Sequence, residues 1–171
     1  MKSFKKILML SLALTFVLVL GACDKNVSGL EEVQDRGELI YGIAEDNEPF
    51  NFEDENGDRV GFDIDIAEEV AERLGVDAKH VQAQEKVLSN LLASEYDVVV
   101  GSVDVTDESK ARVDFTKPYY AEESEYAIAV VKSDQKFLDA IDQALETIVE
   151  DGTYAELTQK WFGEDLTAEI R

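Results

Sequence analysis

The chain has 171 residues, 38 of them acidic against 16 basic, a formal net charge of −22 and an apolar content of 45%. So negative a field repels nucleic acid and anionic lipid headgroups, which excludes nucleic-acid binding. The single cysteine, Cys23, excludes an intrachain disulfide, and the apolar share is that of a globular fold.

Lys2, Lys5 and Lys6 precede an uncharged apolar run of 14 residues, Ile7 to Leu20, followed by Gly21, Ala22 and Cys23. Basic, apolar and small residues in that order predict a secretory signal over residues 1–22. The run is shorter than the ~18 residues that suggest a membrane span. The quartet LGAC resembles the bacterial lipobox, which implies cleavage before Cys23 and lipidation of its sulfur. Removing residues 1–22 takes away three lysines and no acid. It leaves 149 residues with 13 basic side chains against 38 acidic ones, a net charge of −25. That length suits one domain with one core. Residues 23–36 read as a lipid-anchored linker, 37–163 as one lobe and 164–171 as a C-terminal tail.

"ELIYGIA" (38–44) predicts a strand. Asn56 and Gly57 in "NFEDENGDRVGF" predict a hairpin turn, because both residue types tolerate positive φ. The acids there match a calcium loop poorly, since Gly57 arrives too early for that motif. From Asp63 to Leu74, Ala67, Val70, Ala71 and Leu74 share one helical face, with Asp63 as the expected N-cap and Gly75 as the stop. "AKHVQAQ" predicts a weaker strand, and Val87, Leu88, Leu91 and Leu92 mark a second helix. The apolar run "YDVVVGSVDV" (96–105) predicts a strand covered on both faces, hence a parallel sheet. Strands alternating with helices give an α/β domain. "YAIAVVK" (126–132) is one further strand. Asp134 is placed to cap a long helix with buried Phe137, Leu138, Ile141, Leu145, Ile148 and Val149, ended by Gly152. Thr153 with Glu156 predicts a capping box opening the last helix.

Little in the chain suggests bond-making chemistry. His80 is the one histidine, in a predicted strand with no cysteine or second histidine near it in sequence. No GxSxG elbow and no glycine-rich phosphate loop is present, and paired carboxylates are uninformative in so acidic a chain. The reading is a non-enzyme without cofactor or metal.

Three stretches, "GFDIDIAEEVAERLG", "VDFTKPYY" and "DGTYAELTQKWFG", resemble the bacterial extracellular solute-binding proteins of the polar amino-acid type (family 3), the capture components of ABC importers. The resemblance runs over nearly all of residues 37–163. It implies a periplasmic-binding-protein-like (type II) fold, in which two α/β lobes joined by a two-stranded hinge close on a solute. In that layout the chain crosses to the second lobe after PYY and returns at YAIAVVK; here only "AEESE" separates them. The expectation is therefore a single lobe, a mostly parallel sheet flanked by helices, with the second lobe absent between 120 and 126.

The resemblance also implies a site. An aromatic residue that stacks on the ligand corresponds to Asn47, and a second wall residue to Gln84. The arginine that grips the ligand α-carboxylate corresponds to Ser109, and a small hydroxyl residue beside it to Asp104. With Asp46 and Ser102, these form the expected ligand rim. The local charge has moved from positive to negative, so a cationic or neutral solute suits the rim better than a free carboxylate. The expected partners are such a solute, an ABC permease and, through the lipid anchor, the extracytoplasmic face of the membrane. Two alternatives compete: an interaction lipoprotein that docks or dimerises through its exposed inter-lobe face, and a deletion product without function.

Overall fold

A computed structural model describes residues 28–43, 46–83, 86–101, 103–121 and 124–170. The expected signal, Cys23, Gln84 and Ser102 lie outside these residues.

Helix α1 (Gly29–Arg36) forms where a linker was expected. Its local signals are complete: the Ser28 hydroxyl accepts from Leu30 N–H, Glu31 and Glu32 occupy the first turn, Arg36 the last, and Gly37 closes it at φ 76°. Val33 is fully buried and joins the core, so the lobe begins here and not at residue 37. Strand β1 (Glu38–Ile43) follows, then the hairpin β2 (Phe52–Glu53) and β3 (Arg59–Val60), with Gly57 at φ 87° in the predicted turn.

Helix α2 (Phe62–Leu74) does not use Asp63 as its N-cap; Gly61 holds that position and Asp63 lies inside the first turn, 1% exposed. Gly61 has φ 140°, and a Cβ on it would meet the Phe50 carbonyl oxygen at 2.1 Å. Only glycine fits where the chain turns that tightly into a helix. Strand β4 (Asp77–Gln82) returns on one side of β1. Helix α3 (Val87–Leu92) leads to β5 (Val98–Val99) on the other. The predicted ten-residue strand contracts to two ladder residues because the chain turns away at Gly101, φ 62°.

Helix α4 (Asp107–Arg112) and β6 (Val113–Phe115) precede a short pair, β7 (Tyr120–Ala121) and β8 (Glu125–Tyr126), and then β9 (Ala129–Val131). The segment predicted as one strand over 126–132 is thus two. β8 pairs antiparallel with β7, and β9 pairs with β5 and β6. Between them Thr116 bridges the gap: its N–H donates to the Ile128 carbonyl (3.0 Å) and its hydroxyl accepts from Ile128 N–H (2.9 Å).

The five-stranded sheet has the order β4-β1-β5-β9-β6. β1 pairs parallel with β4 and β5, while β9 runs antiparallel to both neighbours. Four strands therefore share one direction, giving a mostly parallel sheet flanked by helices, as expected.

Helix α5 (Gln135–Glu150) opens on Asp134, whose carboxylate accepts from Phe137 N–H (3.1 Å), as predicted. The same carboxylate accepts from the Ser28 hydroxyl (2.8 Å) and Gly29 N–H (2.6 Å), fastening α1 to α5. Helix α6 (Thr153–Phe162) lacks the predicted capping box. Asp151 accepts from Thr153 N–H (3.0 Å) instead, and the Thr153 hydroxyl accepts from Arg73 (3.1 Å), whose guanidinium also pairs with Glu69 and Asp151. The expected tail is folded too: Leu166 is buried and a 3₁₀ turn spans Thr167–Ile170. Much of the core is aromatic. Fully buried Phe62 meets Tyr119, Tyr120, Tyr154, Phe50 and Phe162 at centroid distances of 5.0–6.4 Å.

Candidate ligand rim and hinge

In an open α/β sheet, ligands bind beyond the carboxyl ends of the parallel strands where the strand order reverses. Here that point is the end of β1, from which the chain passes through α2 to β4 on one side and, later, through α3 to β5 on the other. Among the described residues, Asp46 and Asn47 stand on the loop after β1, Asp104 on the loop after β5 and Ser109 on the helix that follows it.

Asp46 and Asn47 lie exposed on the loop after β1. Asp46 is paired with Arg59 of β3, which also donates to the Gln82 side-chain oxygen (2.9 Å) at the end of β4. One guanidinium thus ties two rim loops to the hairpin and offsets one rim acid. Asn47 bridges to Asn51 through its backbone, and its amide donates to the Tyr126 hydroxyl (3.3 Å) of β8.

Asp104 and Ser109 are brought together. The Ser109 hydroxyl donates to the Asp104 carbonyl (2.7 Å) and accepts from Thr106 N–H (2.9 Å), while the Thr106 hydroxyl accepts from Ser109 N–H (3.1 Å). This is a reciprocal capping box on α4, and Ser109 is buried within it. Its hydroxyl is committed to the fold and shapes the loop; it does not point to a ligand. The Asp104 carboxylate is exposed, as are Asp107 and Glu108 in the first turn of α4. The Lys132 ammonium, across from α4, donates to the Lys110 carbonyl (2.5 Å).

Below the rim lies a group that sequence reasoning took for a helix cap. The Asp63 carboxylate accepts from the Tyr119 hydroxyl (2.7 Å) and, at 3.4 Å, from the Asn51 amide. Burial pushes its pKa up to about 6, against the two hydrogen bonds, which lower it. Burial and the adjoining Asp63 push the Tyr119 hydroxyl well above its ordinary value. His80 lies in β4 beside Tyr41, ring centroids 5.7 Å apart. Burial, then the nearby Arg59, hold its imidazole below the usual range, so it is neutral near pH 7.

β7 and β8 pair antiparallel in the segment where the resemblance implied a crossing to a second lobe. Tyr120 faces Tyr126 across the ladder with their rings stacked at 5.5 Å, and Phe50 packs edge-on against both, at 4.9 and 4.7 Å. The pair thus rests on an aromatic base. Surface cavities open elsewhere among the described residues. One of about 690 Å³ runs along Gly37, Glu72, Gly75 and Asp77, and one of about 440 Å³ lies between Lys117, Tyr119 and α5.

The sequence model of the bacterial extracellular solute-binding proteins, family 3, matches residues 39–164. The L-cystine-binding protein TcyJ of Escherichia coli K12 is 34% identical over 91 residues, 53% of this chain and 34% of TcyJ. The probable ABC transporter arginine-binding protein ArtJ of Chlamydia trachomatis is 32% identical over 120 residues, 69% of this chain and 46% of ArtJ. The chain thus spans a third to a half of the length of these relatives. The arginine-bound crystal structure of domain 1 from TmArgBP superposes with a TM-score of 0.65 and 38% identity, covering 68% of this chain and 97% of that one. The chain belongs to the bacterial extracellular solute-binding proteins of family 3.

Proposed function

We propose that the chain is a lipid-anchored solute-binding component of an amino-acid-type ABC importer, a binding protein and not an enzyme, whose one lobe holds a cationic solute on an open rim. The observation that carries this is the carboxyl edge of the parallel strands, where exposed Asp46 and Asn47 follow β1 and exposed Asp104 follows β5. The arginine-bound form of domain 1 from TmArgBP, which matches this chain over 97% of its length, supports the view that one such lobe suffices to hold a ligand. The exposed Asp104, Asp107 and Glu108 favour a cationic solute, and Asp46 is the part of the rim charge already offset by Arg59. Gln84 and Ser102 complete the proposed rim, while Ser109 acts through the loop it caps. Pockets that hold small ligands tightly bury ~70–90% of the ligand surface, so a single wall gives modest affinity. In calorimetric titration of the mature chain, L-arginine or a polyamine should give saturable heat and L-glutamate none. Saturable heat with glutamate and none with arginine would reverse the charge assignment, and silence with every amino acid, polyamine and small peptide would remove solute capture altogether.

Export and anchoring rest on the signal pattern and on LGAC. The wild-type protein is expected to partition into detergent with the membrane fraction, whereas a Cys23→Ala variant should be soluble or unprocessed and should carry no acyl label. A Cys23→Ala protein that still incorporates labelled fatty acid would refute the anchor.

A further inference from the structure

The network around Asp63 joins three separate parts of the lobe. Asp63 belongs to the first turn of α2, Tyr119 immediately precedes hinge strand β7, and Gly101 begins the loop that carries Asp104. The Tyr119 hydroxyl donates to Asp63 (2.7 Å) and in turn accepts a hydrogen bond from the Gly101 backbone. Gly101 rests directly on the carboxylate: with φ 62°, a Cβ there would lie 2.2 Å from Asp63 Oδ2. The space a side chain would need is filled by the acid itself. Asn51, 1% exposed, supplies the fourth contact from the loop after β1.

We propose that Asp63 is a positioning residue for the solute site: through Tyr119 and Gly101 it sets together the loop that carries Asp104 and the entry to the hinge. The proposal rests on reading that loop as part of the solute rim. Asp63 is not half of a buried ion pair, since no cation is among its partners in the described residues. Nor does it share a cluster with its neighbouring acid: Asp65, two residues on, is turned to Lys160 and Trp161 of α6. The groups facing Asp63 are Tyr119 from the hinge segment, with Tyr126 behind it, Asn51 from the loop after β1 and the Gly101 backbone from the loop after β5. None of these bears a charge near neutral pH. Asn51 Oδ1 is buried without a hydrogen-bond partner, which marks an acceptor ready for a proton on the acid. Protonated Asp63 can donate to an amide oxygen after Asn51 turns over, and it then presents a weaker acceptor to Tyr119. The loop and the hinge entry shift together.

The linkage has a definite sign. An acid whose folded-state pKa lies near 6, above its unfolded value, adds stability that is present at low pH and is lost as pH rises through about 6. Asp63→Asn copies the neutral form and should remove this dependence.

The test follows backbone amides by NMR in the ligand-free mature chain between about pH 5 and pH 7.5, and then repeats an L-arginine titration at both ends. In the wild type, the Gly101, Val103 and Tyr119 amides should titrate together with a midpoint near 6, and in Asp63→Asn they should not. Arginine affinity should change about fivefold or more between the two pH values in the wild type and stay level in Asp63→Asn. Should Asp63→Asn fail to fold, Tyr119→Phe serves: it keeps the acid but cuts the link to the hinge segment, so the Asp63 carboxyl carbon should titrate while the residue 119 amide does not. Amides of the loop that do not titrate in the wild type or that titrate equally in Asp63→Asn, or a residue 119 amide that titrates equally in Tyr119→Phe, overturn the proposal. If no arginine binds, the capture reading fails, while the ligand-free titration still decides the network.

Discussion

Replacing Phe62 by alanine is expected to lower the melting temperature by about 12 °C. Phe62 is fully buried and stands at the meeting point of five aromatic rings: Phe50 from the loop after β1, Tyr119 and Tyr120 from the hinge segment, and Tyr154 and Phe162 from α6. No single neighbour can collapse into the vacated space without leaving its other ring contacts. A large-to-small aromatic substitution in such a site costs about 4 kcal/mol, the lost transfer energy plus the cavity. For a domain near 150 residues each kcal/mol lowers the melting temperature by about 3 °C. The measurement is a thermal melt followed by circular dichroism. A fall of less than about 4 °C would mean that the hinge and α6 do not share one core.

The second large effect concerns ligand choice. Asp104→Ser together with Ser109→Arg should convert a rim suited to cations into one that grips a free α-carboxylate, raising affinity for a zwitterionic amino acid about tenfold or more. The physical ground is the local net charge, which rises by two, and the fork geometry of a guanidinium, which matches a carboxylate with paired hydrogen bonds. The substitution carries a structural cost. The Ser109 hydroxyl now holds Thr106 N–H and the Asp104 carbonyl, and losing it from the capping box costs about 1 kcal/mol. The double variant should therefore melt slightly lower yet bind better. Lower stability with no gain in affinity would place the limit on the exposure of a single wall and not on the sign of the charge.

Much of the fold could be read from the chain because the signals were local and strong. The apolar faces of α2 and α5, the Asp134 cap and the Asn56-Gly57 turn each act within a few residues, and each is where the pattern placed it. Helix α1 was missed because it buries one valine in an otherwise polar segment. Its amphipathic pattern is too sparse to separate from a tether, although Ser28, Arg36 and Gly37 carried the capping signal. The contraction of β5 and the division of the strand after the junction depend on Gly101 and Thr116, whose roles come from partners far along the chain.

The site divides along the same line. Asp46, Asn47 and Asp104, named from the resemblance, lie on loops beyond the carboxyl ends of β1 and β5. The chemistry of individual residues was harder to see. The resemblance matched Ser109 to a ligand-gripping arginine, and its hydroxyl serves a helix cap; the sequence Thr-Asp-Glu-Ser held that possibility without deciding it. Asp63 looked like a surface cap because the residue type commonly is one, and only burial beneath Gly101 and Tyr119 reveals a neutralisable acid. Arg59 gave no local signal at all, since its partners Asp46 and Gln82 lie 13 and 23 residues away.

The claim at the centre is that this one lobe captures solute at the carboxyl edge of its parallel strands. Amide chemical-shift mapping of the mature chain during an L-arginine titration tests it most directly. Saturable shifts concentrated at Asp46, Asn47 and residues 103–109 are the predicted result. No saturable shift, or shifts confined to the groove between Lys117 and Glu150, would contradict it.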